Sequence, residues 1–121
     1  MAGEHSRPVE GGRGIWRAER LWTLARELPM REVPIASIAE FDQNCWFRSE
    51  TPPTCKAVAE HARRINDADL AFPIILAADG GLMDGGHRIA KAWLLGHTTI
   101  AAVRFIQTPE PDCVVPQADV G

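Results

Sequence analysis

The chain has 121 residues and a mass of 13.3 kDa, with 45% hydrophobic and 24% charged residues. It is therefore long enough for one domain with its own core. Its 13 Lys and Arg against 16 Asp and Glu give a net charge of −3, which argues against binding DNA through non-specific phosphate contacts. No apolar run approaches the roughly 18 residues of a membrane span, and no apolar stretch typical of a secretory signal is present. We expect a cytoplasmic protein with no membrane partner and with reduced cysteines.

Both ends of the sequence are predicted to be disordered. Residues 1–14 contain four glycines, one proline and little to bury. Residues 107–121 contain three prolines, three acidic residues and no basic residue, so they account for the whole net charge of −3. The folded domain is therefore predicted to span residues 15–106.

The first half of this domain shows helical and strand patterns. Apolar residues recur at three and four over 15–28, which predicts an amphipathic helix ended by Pro29. Residues 31–38 alternate loosely and predict a short strand, with Pro34 at a sheet edge or a bulge. Residues 42–54 form a predicted loop. A second helix follows the N-cap Thr54, and its predicted buried stripe consists of Cys55, Val58, Ala59, Ala62 and Ile65.

The second half reads as a hairpin, a helix and a strand. The apolar run 72–77 predicts a strand buried on both faces, and the turn 78–81 leads into a partner strand at Leu82. A third helix is predicted from about His87 to Leu95, ended by Gly96, and residues 98–105 form the last strand. The predicted fold class is α+β, a small mixed sheet with helices packed on it.

The most informative motif runs from Asp84 to Arg88, where a strand ends at a carboxylate and two glycines precede a helix. A helix N-terminus carries unpaired N–H groups and about half a positive charge, so it favours an anion. Arg88 adds a planar fork that suits phosphate oxygens, and Lys91 lies one turn further on the same face. The alternative is structural: Asp84 is an N-cap, the glycines form a tight turn, and His87 and Arg88 lie in solvent.

The sequence resembles the ParB/sulfiredoxin superfamily in its stand-alone, bacterial-type form. The similar segments are REVPIASIAEFDQN, FPIILAADG and MDGGHRIAKAWLLGHTTIAAVRF, and together they cover about residues 31–106. The resemblance implies a small α+β fold with a nucleotide-phosphate site at the helix opening. The residues it implies for that site are Asp84, Gly85, Gly86, His87, Arg88 and Lys91.

The chain departs from two branches of that superfamily. Partition proteins carry an acidic residue at the position of Gly86 and an arginine at Ala90, and they continue into a helix-turn-helix that is not found here. Sulfiredoxins carry their reactive cysteine at Gly86. The D-G-x-H-R form is more similar to the free-serine kinases, in which a carboxylate after the first strand acts as the base. That carboxylate corresponds best to Asp42, with Glu40 as its neighbour.

Phosphoryl transfer requires cations, a phosphate cradle and a base near the acceptor hydroxyl. Asp42 or Glu40 would supply the base, although each also reads as a turn or surface residue. His87 is a further catalytic candidate. Asp84 would hold Mg²⁺ or accept the ring N–H of His87. The expected ligands are Mg²⁺ with ATP, ADP or CTP and a small hydroxyl substrate.

Two other functions stay open. A non-catalytic module would use the same site to sense a ligand or to bind a protein, and a homodimer around the nucleotide is compatible with either function. A ParB-like nuclease or partition accessory is disfavoured because the body is neutral, so DNA is not an expected partner.

Three features outside the motif have simple expectations. His61 is predicted to be solvated, and the pair Arg63 and Arg64 to lie on a helix surface. Trp46 and Phe47 read either as an anchor of the long loop in the core or as a platform on which a base stacks.

Overall fold

The computed structural model describes residues 3–116, which form three helices and two sheets. The predicted α+β class is confirmed. The elements are β1 (Glu4–Val9), β2 (Gly12–Arg17), α1 (Ala18–Ala25), β3 (Arg31–Pro34), two 3-10 helices (Ile35–Ser37 and Ala39–Asp42), α2 (Cys55–Asp67), β4 (Ile74–Leu76), β5 (Leu82–Asp84), α3 (Gly86–Leu94), β6 (Thr99–Arg104) and β7 (Cys113–Val115). No helix in this part of the chain is long and apolar enough to cross a membrane.

A four-stranded sheet in the order β3-β6-β4-β5 forms the centre of the fold. β4 is parallel to β6 and antiparallel to β5, while β3 lies antiparallel to β6 at one edge. The predicted strand 31–38 is too long, because β3 ends at Pro34 and Ile35–Ser37 form a 3-10 helix, but its predicted location at a sheet edge is confirmed. The predicted hairpin of β4 and β5 is confirmed.

Hydrophobic clusters cover both faces of this sheet, because successive residues of a strand point to opposite sides. Ile75 packs with α1 and with Trp16 of β2, whereas Ile74 and Leu76 pack under α3. All three residues of β4 are buried. The prediction of a strand buried on both faces is therefore confirmed.

A second sheet, in the order β1-β2-β7, occupies segments that the sequence predicts to be disordered. β1 and the first half of β2 lie within residues 1–14 and belong to an antiparallel hairpin, whose turn is made by Glu10 and Gly11; Gly11 and Gly12, the first residue of β2, both have positive φ. The glycines that suggest disorder thus serve a hairpin turn, which needs that backbone conformation. Residues 1–2 lie outside the described part.

The segment 107–116, also predicted to be disordered, is bound along β2. β7 pairs antiparallel with β2. Trp16 Nε1 donates to the carbonyl of Pro109 at 2.8 Å, and the Arg17 N–H donates to Asp112 Oδ2 at 2.8 Å. Local composition gives no sign of these contacts because their partners lie more than ninety residues apart in sequence. Residues 117–121 of the predicted tail lie outside the described part.

The first predicted helix is too long at both ends, and α1 ends at Ala25, before the predicted stop at Pro29. Ile15 and Trp16 belong to β2, and α1 begins only at Ala18. The buried residues Ala18, Leu21 and Ala25 keep the helical spacing. Strand pairing with β1 and β7 on both sides of β2 takes the preceding residues out of the helix.

The second helix is confirmed at its start but turns a different face to the protein. Thr54 Oγ1 accepts the Ala57 N–H at 3.1 Å, which is the predicted N-cap. The predicted buried stripe is wrong: α2 has no fully buried residue, and Val58 is 48% exposed. The half-buried positions of the helix are Ala57, His61 and Ile65, because His61 takes part in the packing against α3.

The hairpin turn provides a test of the second sheet. A Cβ on Gly12 would lie 2.2 Å from the Val115 carbonyl oxygen, whereas a Cβ on Gly11 would meet no atom within 4 Å. Both glycines have positive φ, so each alanine variant carries backbone strain of about 1–3 kcal/mol. We expect Gly12→Ala also to displace β7 and to make residues 107–116 sensitive to limited proteolysis, with Gly11→Ala as the matched control. Equal resistance in both variants would contradict the pairing of β7 with β2.

Candidate functional site

A cleft of about 1380 Å³ lies between β1, α1, the loop after the 3-10 helices and the start of α3. Six arginines and four carboxylates line it, although the whole chain carries a net charge of −3. A cleft with an excess of positive charge on an acidic protein favours an anionic ligand. The charged residues of the wall are Arg7, Arg13, Arg26, Arg48, Arg64, Arg88, Glu4, Glu40, Asp69 and Asp84.

The opening of α3 lies on this wall. Gly85 is the N-cap, with φ +123°, and a Cβ there would lie 2.5 Å from Ile74 Cγ2, so the position requires glycine. No side chain caps the first turn. The N–H groups of the first turn have no partner within the helix, and they carry the positive end of its dipole. Backbone groups that suit an anion are thus present where the sequence predicts them.

Asp84 and Arg88 bind each other rather than pointing freely into the cleft. Arg88 Nη2 donates to Asp84 Oδ2 at 2.6 Å, and Arg88 Nη1 donates to the carbonyls of Phe72 and Pro73 at 3.2 and 2.8 Å. Trp22 Nε1 also donates to Asp84 Oδ2, at 2.8 Å. The predicted hydrogen bond from His87 to Asp84 is therefore wrong, because Arg88 and Trp22 are the donors that Asp84 holds.

Lys91 has a different location from the one its spacing suggests. Its ammonium donates to the carbonyls of Asn66 and Ala68 at 2.8 and 2.6 Å, where α2 ends. A lysine bound to the last carbonyls of a helix satisfies acceptors that have no intrahelical donor. Lys91 is not among the residues that line the cleft.

The structure brings His61, His87 and Trp46 together. His61 Nδ1 and His87 Nε2 are 2.9 Å apart, and the Trp46 ring stacks on both imidazoles, with centroids 4.7 and 4.6 Å away. Phe47 meets His61 edge-on at 5.2 Å. His61 is therefore not the solvated residue that was predicted. Trp46 and Phe47 anchor the long loop, as one of the two alternatives predicts, but they pack on imidazoles instead of on the hydrophobic core.

The two imidazoles are held neutral. Burial, the neighbouring His61 and the Arg64 guanidinium lower the pKa of His87 to about 4. Burial and Arg64 also lower the pKa of His61. Two neutral rings share one N–H···N hydrogen bond, whereas two protonated rings would place two donors face to face. Arg64 lines the same cleft as His87, which the sequence does not reveal.

The two candidate bases differ in location. Glu40 lines the cleft, and its Oε1 is buried with no hydrogen-bond partner. Its Oε2 lies 3.4 Å from where a Cβ on Gly81 would be. Asp42 is exposed and is not part of the cleft wall. Of the two carboxylates that the sequence proposes, the geometry favours Glu40.

His5 is a cleft residue that sequence reasoning missed. Its Nε2 is the other buried side-chain atom without a hydrogen-bond partner in the described part of the chain. Burial and Arg7 lower its pKa to about 4, against the opposing charges of Asp84 and Glu40. The two orphaned atoms, on His5 and Glu40, both belong to residues of the cleft wall. Because residues 1–14 are predicted to be disordered, the sequence gives no reason to place His5 in a site.

Among residues 3–116, no group of three or more His, Cys, Asp and Glu side chains could hold a metal ion. Asp84 is a single carboxylate at the opening of α3. Mg²⁺ is commonly bound by one or two carboxylates together with water and substrate phosphates, so Asp84 fits Mg²⁺ only together with a phosphate-bearing ligand. The three cysteines are free, as predicted.

Comparison with models of protein families, with curated proteins and with solved structures found no match.

The lowered pKa of His87 predicts how stability depends on pH. Folded His87 has a pKa of about 4, against an ordinary value of 6.5, so the unfolded chain binds more protons between these values. The free energy of unfolding therefore falls as the pH drops from about 6.5 towards 4. We expect His87→Gln to remove part of this decrease in urea titrations, leaving the parts due to His5 and His61, whose pKa values are also lowered. The control is His97→Gln, at an exposed position; an unchanged pH dependence in His87→Gln would contradict the buried pair.

Proposed function

We propose that this protein binds a nucleotide, with the phosphate groups held at the opening of α3. One observation carries the proposal: the uncapped first turn of α3 lies in a cleft whose arginines outnumber its carboxylates. Phosphates bind readily to helix N-termini because the N–H groups and the helix dipole act together. The resemblance of residues 31–106 to the ParB/sulfiredoxin superfamily supports the same site.

The side chains that would contact phosphate differ from those of the motif. Arg88 is engaged by Asp84 and by two carbonyls, so it serves first to fix the turn. Arg64 lines the cleft near His87 and is in none of the three ion pairs of residues 3–116. We therefore assign Arg64 as the cation next to the phosphates, with Gly86 and His87 offering backbone N–H groups. Mg²⁺ with ATP, ADP or CTP is the proposed ligand, and Asp84 would hold the ion through Oδ1, because Arg88 and Trp22 both donate to Oδ2.

Arg64 and its neighbour Arg63 form a matched pair for testing the phosphate site. Both are exposed residues of α2, but only Arg64 lines the cleft. We expect Arg64→Ala to weaken the binding of Mg²⁺-ATP about tenfold or more, the effect of losing one charge-assisted contact. Arg63→Ala should bind as the wild type does in isothermal titration calorimetry.

Equal affinities of the Arg64→Ala and Arg63→Ala variants would remove Arg64 from the site. Arg88→Ala is a poorer probe because it also leaves the Asp84 carboxylate without its cation.

A second candidate function, phosphoryl transfer to a small hydroxyl, is favoured by Glu40. Its carboxylate oxygen Oε1 is buried in the cleft wall without a partner. A general base must be within hydrogen-bond reach of the hydroxyl it deprotonates. Glu40 lines the cleft in which the substrate would bind, whereas Asp42 lies outside it. If no turnover occurs, the same site serves a non-catalytic sensor of nucleotides.

Phosphorus NMR of the protein with Mg²⁺, each nucleotide in turn and free serine tests this candidate. A phosphomonoester signal would identify a kinase, and free phosphate alone an NTPase. We expect Glu40→Gln to retain nucleotide binding and to lose turnover by a factor of about 10²–10⁴, the usual contribution of a general base. Asp42→Asn should retain both. Loss of turnover in Asp42→Asn with full activity in Glu40→Gln would reverse the assignment.

A further inference from the structure

Three large apolar side chains line the cleft besides its charged residues. Trp22, Met30 and Phe72 are 49%, 56% and 63% exposed, and we call them the apolar end of the cleft. Large apolar side chains in a cleft beside polar groups are typical of ligand pockets. Gly85 and Gly86 line the same cleft.

The ion pair of Asp84 and Arg88 links the two aromatic residues to the phosphate site. Trp22 Nε1 donates to Asp84 Oδ2 at 2.8 Å, and Arg88 Nη1 donates to the carbonyl of Phe72 at 3.2 Å. The Trp22 indole is therefore held by a hydrogen bond to Asp84, the residue before Gly85. A side chain fixed before binding loses little further freedom when a ligand arrives, which favours affinity.

The other tryptophan of the cleft is already engaged. Trp46 stacks on His61 and His87, and its Nε1 lies 3.4 Å from where a Cβ on Gly86 would be. It therefore covers the start of α3, close to the proposed phosphates. Trp22 makes no ring-to-ring stack of this kind with the residues around it. Of the two tryptophans that line the cleft within residues 3–116, Trp22 is therefore the one whose ring is not stacked on another ring.

We infer that the apolar end binds the base of the nucleotide, stacked on Trp22 and bordered by Met30 and Phe72. This inference rests on the proposed function. The arginines of the cleft favour an anionic ligand, and a nucleotide joins phosphates to a planar ring. Stacking on an indole tolerates any base, since every base has a π-face. The site thus adds affinity for the nucleoside part without selecting one base by hydrogen bonds.

The test compares Mg²⁺-ATP with inorganic tripolyphosphate, which lacks a base, by calorimetry on the full chain. The wild type should bind Mg²⁺-ATP more tightly than tripolyphosphate. Trp22→Ala should weaken Mg²⁺-ATP binding roughly 5- to 100-fold, the usual loss when a stacked base loses its aromatic partner. Tripolyphosphate binding should stay unchanged. Trp22→Phe, which keeps a ring but loses the donor to Asp84, should retain most of the preference.

Trp93→Ala is the matched control, because Trp93 is 60% exposed and lies outside the cleft wall. Equal losses for both ligands in Trp22→Ala would show that Trp22 only supports Asp84, and would overturn the inference. Unchanged binding of both ligands would do the same. A wild type that binds tripolyphosphate as tightly as Mg²⁺-ATP would refute the base site alone, whereas a wild type that binds neither would refute the proposed function itself.

Fluorescence gives a second readout. In a Trp46→Phe, Trp93→Phe background, Trp22 and the buried Trp16 are the remaining indoles. Mg²⁺-ATP should quench this emission and tripolyphosphate should not. Quenching by both ligands alike would count against a stacked base.

Discussion

The arrangement of the cleft depends on the ion pair between Asp84 and Arg88. Its side chains are only 23% and 15% exposed, and it joins the last residue of β5 to the first turn of α3. The Arg88 guanidinium is held further by its hydrogen bonds to the carbonyls of Phe72 and Pro73, which precede β4. A half-buried ion pair is costly to break on one side only, since the remaining charge is left without a partner. The pair therefore fixes the direction in which the α3 N-terminus faces.

The two side chains of this ion pair have a structural role that the motif does not reveal. Asp84 and Arg88 hold the turn, and no side chain caps the first turn of α3. Other charged and unpaired polar groups of the cleft come from elsewhere in the chain: Arg64 comes from α2, and the unpaired atoms belong to Glu40 and His5. An arginine fork fits a carboxylate as well as a phosphate. The spacing of the motif alone therefore does not distinguish a ligand contact from a structural one.

Elements with local causes were predictable from the sequence, and elements with distant causes were not. The apolar run of β4, the N-cap Thr54 and the glycine that ends α3 each depend on neighbours a few residues away. β7 depends on pairing with β2 across most of the chain, and the glycines and prolines in and around β1, β2 and β7 resemble the composition of disordered segments. His61 lies on the packed face of α2 because of His87, twenty-six positions later. The same holds for the site. The glycines and the helix start at Gly85 and Gly86 were predictable, but the cleft residues that other elements supply, such as His5 and Arg64, were not.

The sheet β1-β2-β7 also has a consequence for the order of folding. Arg13 pairs with Val115, so β7 can join only after a loop of about a hundred residues has closed. The antiparallel hairpin of β4 and β5 closes over a few residues, and contacts of short sequence separation form faster. The hairpin of β1 and β2 is equally local, so β7 is the strand of this sheet that is added last. All three residues of β7 are exposed and all three residues of β4 are buried, so the amide hydrogens of β7 exchange with solvent before those of β4.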